Sequence, residues 1–516
     1  MSANSRIDGG YYRWFLLGLV MIGTFMSILD TSIVNVALPH MMSAFGVNRD
    51  QIEWVATGFM LATAVAMPLV GFLMNHLGSK VLYLGSLTMF TLGSAFCALA
   101  WSYDSLILAR VVQALGGGAI QPVGMAIVAQ LFEPHERGKA LGIWGTGIMI
   151  GPAVGPTLGG YLTEWFNWRS IFSVNLPFGA LTLILGLIIM KADSPADRKR
   201  LPFDWWGYMF LSLALITGLL ALSEGQSEGW HSRYILTCFA LCTIGMVMFL
   251  AYESAVSNPL LDLKLFLYRN FSLSMVLALF RAVGLFGGLF LLPIFLENLV
   301  GYTTIQTGLW MMPSAIVVGI MMPVAGRMAD KYSPAWLVTT GTFLTGCSLI
   351  MFGWLDPRSS WVVIIGPQVF RGVGLAFMMA PLMTTAVNSV PQAQVATASS
   401  FLNLAQRVGG SFGIAVLNTV VTDATHRHAV RIGESIATES SHFQHLALKT
   451  ASLVARDVHG VLLNTDTKTA LVASQSVLHK ATVLGFDNGF VVAGLVILLG
   501  VPLCIFLRKP PVKPQA

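Results

Sequence analysis

Fourteen stretches of roughly 20 mostly apolar residues recur along the chain, each long enough to cross a bilayer as a helix. They lie near residues 14–39, 51–74, 81–102, 105–131, 138–163, 168–190, 205–223, 233–253, 271–297, 305–327, 335–355, 361–388, 395–422 and 486–508. In lipid every backbone N–H and C=O must be satisfied within the protein, so such runs must be helices or closed barrel strands. The runs are too long for barrel strands and lack a two-residue alternation. Only 10% of residues are charged, against about 25% in a typical soluble domain, which excludes a water-covered fold. The expected fold class is therefore an all-α integral membrane protein. The first run, Trp14 to Pro39, is too long for the apolar core of a signal peptide and has no A-x-A-like cleavage site, so it is expected to be retained.

Lys and Arg in the short loops predict the orientation. With the N-terminus in the cytoplasm, that side collects sixteen, among them Arg6, Arg13, Lys80, Arg137, Lys139, Lys191 and Arg200. The opposite short loops hold four: Arg49, Arg169, Arg233 and Arg358. Both termini are expected in the cytoplasm, and the formal charge of +6 then reflects loop placement rather than a nucleic-acid surface. The five cysteines (Cys97, Cys238, Cys242, Cys347, Cys504) sit in apolar runs without CxxC spacing, so neither a disulfide framework nor a metal site is indicated. No nucleophile–base constellation or P-loop is present. The chain is not expected to be an enzyme, to carry a cofactor or to use ATP.

Segments half a chain apart echo one another. Gly71-Phe-Leu-Met-Asn75-His-Leu-Gly78-Ser-Lys80 follows the second run, and Gly326-Arg-Met-Ala-Asp330-Lys-Tyr follows the tenth, at an offset of 255. Arg110-x-x-Gln113-x-x-Gly116 matches Gln368-x-x-Arg371-x-x-Gly374 at 258, and Pro134 matches Pro391 at 257. Agreement of the offsets predicts two homologous six-helix bundles, residues 1–190 and 271–516, joined by a linker with two inserted helices over 191–270. Duplication around a central site is how secondary transporters alternate their access. A long loop is expected over 424–485 on the outer side. Within it, 443–463 and 467–484 show helical periodicity, as a surface cap or as a docking element for a partner.

Ionisable side chains within a span cost about 2.5–3.5 kcal/mol each on insertion scales. Asp30, Arg110, Arg281, Arg371 and Arg407 lie at membrane depth, and Glu297 near a helix end. Thr24, Ser27, Thr31 and Asn35 form one polar stripe down the first run with Asp30 on its flank, and Arg110, Gln113, Gly117 and Gln121 repeat the pattern in the fourth. Asn403, Arg407 and Ser411 add a third stripe, and together the three predict a wet central cavity. Asp30 is the one carboxylate deep in a span. Burial favours its neutral acid and a nearby guanidinium favours its anion, so Asp30 is the expected proton-coupling group and Arg110 its tuning partner. A fixed Asp–Arg pair that merely orients helices is the alternative. Arg281 and Arg407 have no evident acidic partner; they would anchor acidic substrates, or contact Glu297 or backbone oxygens.

In the fifth run Gly147, Gly151, Gly155 and Gly159 recur every fourth residue, which makes a flat face for close helix approach. Pro152 and Pro156 each delete a backbone bond and bend the helix. The chain has 25 methionines; Met378, Met379 and Met383 are flexible thioethers suited to a pocket of variable shape, although ordinary packing accounts for most.

These motifs carry a resemblance. Leu29 to Pro39 (Leu-Asp-Thr-Ser-Ile-Val-Asn-Val-Ala-Leu-Pro) resembles the first-span motif of the EmrB/QacA-type fourteen-span drug:proton antiporters of the major facilitator superfamily. Gly71 to Lys80 resembles the superfamily's loop 2–3 motif, Leu106 to Gly118 its fourth-span motif, and Gly147 to Gly160 the antiporter signature; Trp168-Arg169-x-x-Phe172-x-x-Asn175-x-Pro177-x-Gly179 is also typical. The resemblance implies a major facilitator fold in a bacterial inner membrane. It implies export of small lipophilic compounds against protons, with Asp30 and Arg110 in the coupling roles. Asn75 and His76 depart from the Asp and Arg usual in the loop 2–3 motif, which weakens a charged latch there; Asp330 and Lys331 keep it in the second copy. The EmrB branch works with a periplasmic adaptor and an outer-membrane channel, which the long outer loop would accommodate. Four intramembrane arginines against one deep carboxylate favour neutral or weakly acidic substrates. A dedicated exporter of a lipid or self-made metabolite, or a non-transporting receptor or scaffold, are the rival readings.

Overall fold

The computed structural model describes residues 11–191, 202–356, 359–435 and 465–508. The helices are α1 (Tyr11–Phe45), α2 (Arg49–Ala66), α3 (Leu69–Leu77), α4 (Ser79–Ala98), α5 (Tyr103–Leu131), α6 (Arg137–Trp165), α7 (Ser170–Ser173), α8 (Asn175–Ile189), α9 (Trp205–Glu228) and α10 (Arg233–Ala255). They continue with α11 (Arg269–Val300), α12 (Thr304–Lys331), α13 (Pro334–Phe352), α14 (Trp361–Asn388), α15 (Val395–Ser435), α16 (Thr465–Leu498) and α17 (Val501–Cys504). Because α3 continues α2, α7 leads into α8 and α17 ends α16, these make fourteen rods at the fourteen predicted positions. No strand occurs among the described residues.

Eleven of the helices are long and apolar enough to cross a membrane, and α2 with α3, bent by 54°, makes a twelfth. The bend falls at Met67–Pro68, where proline has no N–H to continue the ladder. The two rods short of that hydropathy are α6, rich in Gly, and α15, rich in Gly, Ser and Thr. Their positions explain their composition: α6 lies between α1 and α12, and α15 packs on α5, α9, α11 and α16. Surfaces that face other helices need small residues, whereas surfaces that face lipid need apolar bulk. α10 shows the opposite case, with Leu236, Ile244 and Val247 all more than half exposed.

Two predicted features are corrected. The long loop over 424–485 is in large part helix: α15 runs on to Ser435 and α16 begins at Thr465. Hydropathy marks where lipid-compatible sequence ends, but residues 423–432 contain neither Gly nor Pro, so the ladder continues beyond that limit. The periodic stretch 467–484 is part of the long α16 rather than a separate helix, and 443–463 lies outside the described residues. Of the alternatives open for Arg281, contact with Glu297 is not made, because sixteen residues of α11 separate the two, about 24 Å along a helix axis.

The glycine repeat of α6 does form a close interface. A Cβ on Gly151 would stand 3.2 Å from the Leu29 nitrogen, and one on Gly155 3.3 Å from the Ile33 nitrogen. These contacts fall on either side of Asp30 and lock the register of α1 against α6. Pro152 of the same motif points elsewhere, lining a small cavity with residues of α11, α12 and α14.

Candidate functional site

Asp30 is fully buried and Arg110 is 1% exposed. Arg110 Nη1 donates to Asp30 Oδ2 at 2.6 Å, while Gln113 Nε2 and Asn175 Nδ2 each donate to Oδ1 at 2.8 Å. Arg110 also donates through Nη1 to Gln113 Oε1 at 2.6 Å and through Nε to the Val55 carbonyl at 3.2 Å. Ser94 Oγ accepts from both Gln113 and Asn175, at 2.6 and 3.0 Å. The guanidinium lies 4.0 Å from the centre of the Phe59 ring and 5.5 Å from that of Phe172. Side chains from α1, α2, α4, α5, α7 and α8 thus converge on one carboxylate.

A buried ion pair is tolerable when the remaining lone pairs and protons are also satisfied, and here both carboxylate oxygens accept. The network ties α1 directly to α5 and α8 through one carboxylate. Sequence reasoning singled out Asp30, Arg110 and Gln113. It quoted Asn175 only as part of a motif and passed over Ser94, because nothing local in sequence joins α8 or α4 to α1.

The polar stripes serve packing more than the sequence suggested. Thr24 and Ser27 are buried and bond within the bundle, Thr24 accepting from Trp144 Nε1 and Ser27 donating to the Gly117 carbonyl. In α1, Asn35 is exposed and Thr31 partly so, with Thr31 Oγ1 bonded to the Ile28 carbonyl. Gln113 belongs to the Asp30 network rather than to an open cavity. Gln121 is buried without a hydrogen bond among the described residues. Asn403 donates to the Ser399 carbonyl.

Arg281 and Arg371 face the middle of the molecule from the other side. Arg281 Nη2 donates to Gln406 Oε1 at 2.8 Å, a partner the sequence did not suggest. Both residues, with Asn403, Met125, Met379 and Met383, line a cavity of about 10 Å³, room for the centre of one water. Two of the three methionines singled out in sequence are therefore in the lining; Met378 packs instead with Leu277, Val338 and Cys504. Arg371 donates to Ser314 Oγ at 3.4 Å, and its Nε and Nη1 are buried without a partner among the described residues. It borders the cavity that Pro152 lines, about 30 Å³ in size. A Cβ at Gly288 would collide with this guanidinium; Gly288 lies in a π-helical turn of α11, a distortion frequent at functional sites. Gln368 donates to the Trp310 carbonyl and leaves its own oxygen unpaired. Arg407 is half-buried and forms no hydrogen bond or ion pair among the described residues. Arg110 is neutralised, whereas among the described residues no acid pairs with Arg281, Arg371 or Arg407.

At the face where Lys80, Lys139 and Lys191 gather, hereafter the basic face, Asp330 at the end of α12 accepts from the Gly138 and Lys139 nitrogens at 2.7 and 2.9 Å. It satisfies the start of α6, where unpaired N–H groups and the helix dipole both favour an anion. Arg137 donates to Asn388 of α14, and Arg13 pairs with Glu136 at 3.2 Å. The repeat-related Asn75 is exposed and makes no such bond among the described residues; around it α3 meets α15 by contact alone, with Gly71 against Thr397. Gly78 turns α3 into α4 at φ 89°, a backbone conformation that favours glycine.

A bundle of apolar helices with a dry acid–base network and unpaired cations facing its middle is the architecture of a multi-pass membrane transporter. The chain matches the Major Facilitator Superfamily over residues 20–414 and belongs to it. It is 33% identical to the uncharacterised MFS-type transporter YhcA of Bacillus subtilis, over 96% of this chain and 92% of that protein. It is 29% identical to the multidrug export protein EmrB of Escherichia coli, over 80% of this chain and 81% of EmrB. In fold it resembles the human organic anion transporter MFSD10, with a TM-score of 0.64 at 14% identity, covering 96% of this chain and all of that one.

Proposed function

We propose that this protein is a proton-coupled antiporter that exports lipophilic compounds, neutral or weakly acidic, by alternating access. The observation that carries the reading is the dry Asp30–Arg110 pair. A proton arriving at Asp30 opens the pair, frees α1 from α5, and moves α6 through the glycine contacts beside Asp30; return of Arg110 expels the proton. The basic face is the cytoplasmic one, with both termini there, and the ties from Asp330 and Arg137, which cross between the two halves, hold it shut in this conformation. Residues 1–190 and 271–516 act as the two rocking halves around the inserted helices of 191–270. The kinship with EmrB supports drug-like substrates.

Arg281, Arg371 and Arg407 favour acidic groups on the substrate, because an anion supplies the counter-charge that the bundle lacks. Thr31, Asn35, Gln121, Gln368 and Asn403 provide neutral polar contacts. A periplasmic adaptor and an outer-membrane channel are the partners we propose for the outer ends of α15 and α16. Energetically one proton suffices: a charge crossing about 150 mV yields about 3.5 kcal/mol, which supports about 300-fold accumulation. The test is uphill transport of dyes and weak acids in proteoliposomes under an imposed pH gradient. Wild type should accumulate substrate and Asp30→Asn should only equilibrate it; uphill pumping by the variant would place coupling elsewhere.

A further inference from the structure

A second pair of carboxyl groups is buried at the basic face, at the joint of the two inserted helices. Asp204 caps α9, its Oδ1 accepting from the Gly207 nitrogen at 2.9 Å. Glu253, in the last turn of α10, accepts through Oε1 from the Leu261 nitrogen at 2.6 Å. They are 8% and 3% exposed. Their other oxygens, Asp204 Oδ2 and Glu253 Oε2, are buried and reach no donor group among the described residues. Both abut the same point: a Cβ on Gly207 would collide with Asp204 Oδ2 and stand 2.6 Å from Glu253 Oε2. The two side chains are within hydrogen-bonding reach of each other. Neither forms an ion pair among the described residues.

Two ionised carboxylates in that position would repel each other, and each would keep an unsatisfied buried oxygen. One proton between them removes both penalties at once. We propose that Asp204 and Glu253 form a second proton-binding site, a carboxylic acid bonded to a carboxylate, separate from Asp30. The surrounding titratable groups do not supply the missing hydrogen. Tyr208 of α9 packs on Phe203, and Tyr252 of α10 on Phe210. His76 of α3 stacks on Phe72. In the segment after α10, Asp262 is engaged by the Lys264 nitrogen and by Gln394 Nε2.

That last bond gives the proton its reach. The pair joins the start of α9, the end of α10 and the backbone at Leu261, while the adjacent Asp262 ties the same segment to Gln394, at the entry to α15. Loss of the shared proton places two negative charges side by side in a dry joint and loosens this link. The folded pair holds a proton that the unfolded chain gives up, so its contribution to stability is complete in acid and lost as the pH rises. Because the two groups titrate together, the transition belongs to the pair.

The test uses the full-length protein in detergent, with Glu253→Gln and Asp204→Asn. The Gln amide can donate to Asp204 Oδ2 while its oxygen still accepts from Leu261, and Asn remains a good helix cap. Difference infrared spectroscopy on raising the pH should show the carbonyl stretch of a protonated carboxyl group disappearing in wild type, and each variant should lack that change. In parallel, the wild-type melting temperature should fall by several degrees between about pH 6 and about pH 9, a range reached by buried carboxyl groups; the profile of Glu253→Gln should be flatter. If both variants keep the wild-type infrared band and melting profile, no proton is shared there and the proposal fails. If one variant does not fold, the other decides by the same spectrum.

Discussion

Asp30 Oδ2 and Arg110 Nη1 stand 2.6 Å apart inside the helix bundle, a carboxylate from α1 and a guanidinium from α5 with almost no access to water. The arrangement makes each group the condition for the other's charge. Removing the cation alone should therefore harm the fold more than removing both. Arg110→Ala should destabilise the protein by about 3–5 kcal/mol, as for other buried pairs broken on one side, and the Asp30→Asn/Arg110→Ala double variant should recover part of that. Thermal unfolding of wild type, Asp30→Asn, Arg110→Ala and the double variant in one detergent checks it.

Arg110→Lys should not rescue transport. An ammonium is a point charge and cannot both reach Asp30 and reproduce the Nε bond to Val55 with stacking on Phe59. A fall in exchange of about tenfold or more is expected even where the variant folds, equal to about 1.4 kcal/mol or more. Wild-type exchange rates in Arg110→Lys would remove the geometric argument.

Asn175 donates to the same Asp30 oxygen as Gln113, so its loss removes one of the carboxylate's three donors. Asn175→Ala should destabilise the protein by about 1–3 kcal/mol, read as a lower thermal unfolding temperature, with Ser173→Ala, an exposed neighbour, as the unshifted control.

Asp330 holds the start of α6 across the basic face, whereas Asn75 makes no matching bond. Asp330→Asn should lower stability by about 1 kcal/mol through loss of the capping charge. It should also speed labelling of a cysteine placed at Thr146, which faces α12 through the Gly319 carbonyl. Adding Asn75→Asp should slow that labelling again. No change in labelling would mean that Asp330 does not hold the face closed.

Arg371 has two buried nitrogens without partners among the described residues, beside a small cavity, so it has capacity for an anionic group. Arg371→Gln should reduce export of acidic lipophiles at least tenfold, about 1.4 kcal/mol, and spare neutral ones. Equal loss for both would make it a packing residue.

Much of this was legible in sequence because membrane helices obey local rules. Apolar runs marked the fourteen rods, and the four-residue glycine period marked the face of α6 that meets α1. The depth of Asp30 within a long apolar run marked it as the costly residue. Helix ends were less legible: α15 continues to Ser435 because hydrogen bonding along a helix does not stop where hydropathy falls.

What sequence determined alone was the number of rods and the residues expensive enough to need a partner. Which partner each one met was decided by tertiary structure. Asp30 draws donors from positions 80 to 145 residues away, Arg281 finds Gln406, and Asp204 meets Glu253 across two helices. The physical reason is one of range: burial cost is a property of the single residue, whereas a hydrogen bond requires two atoms within about 3 Å. Only the packing of the helices supplies that distance.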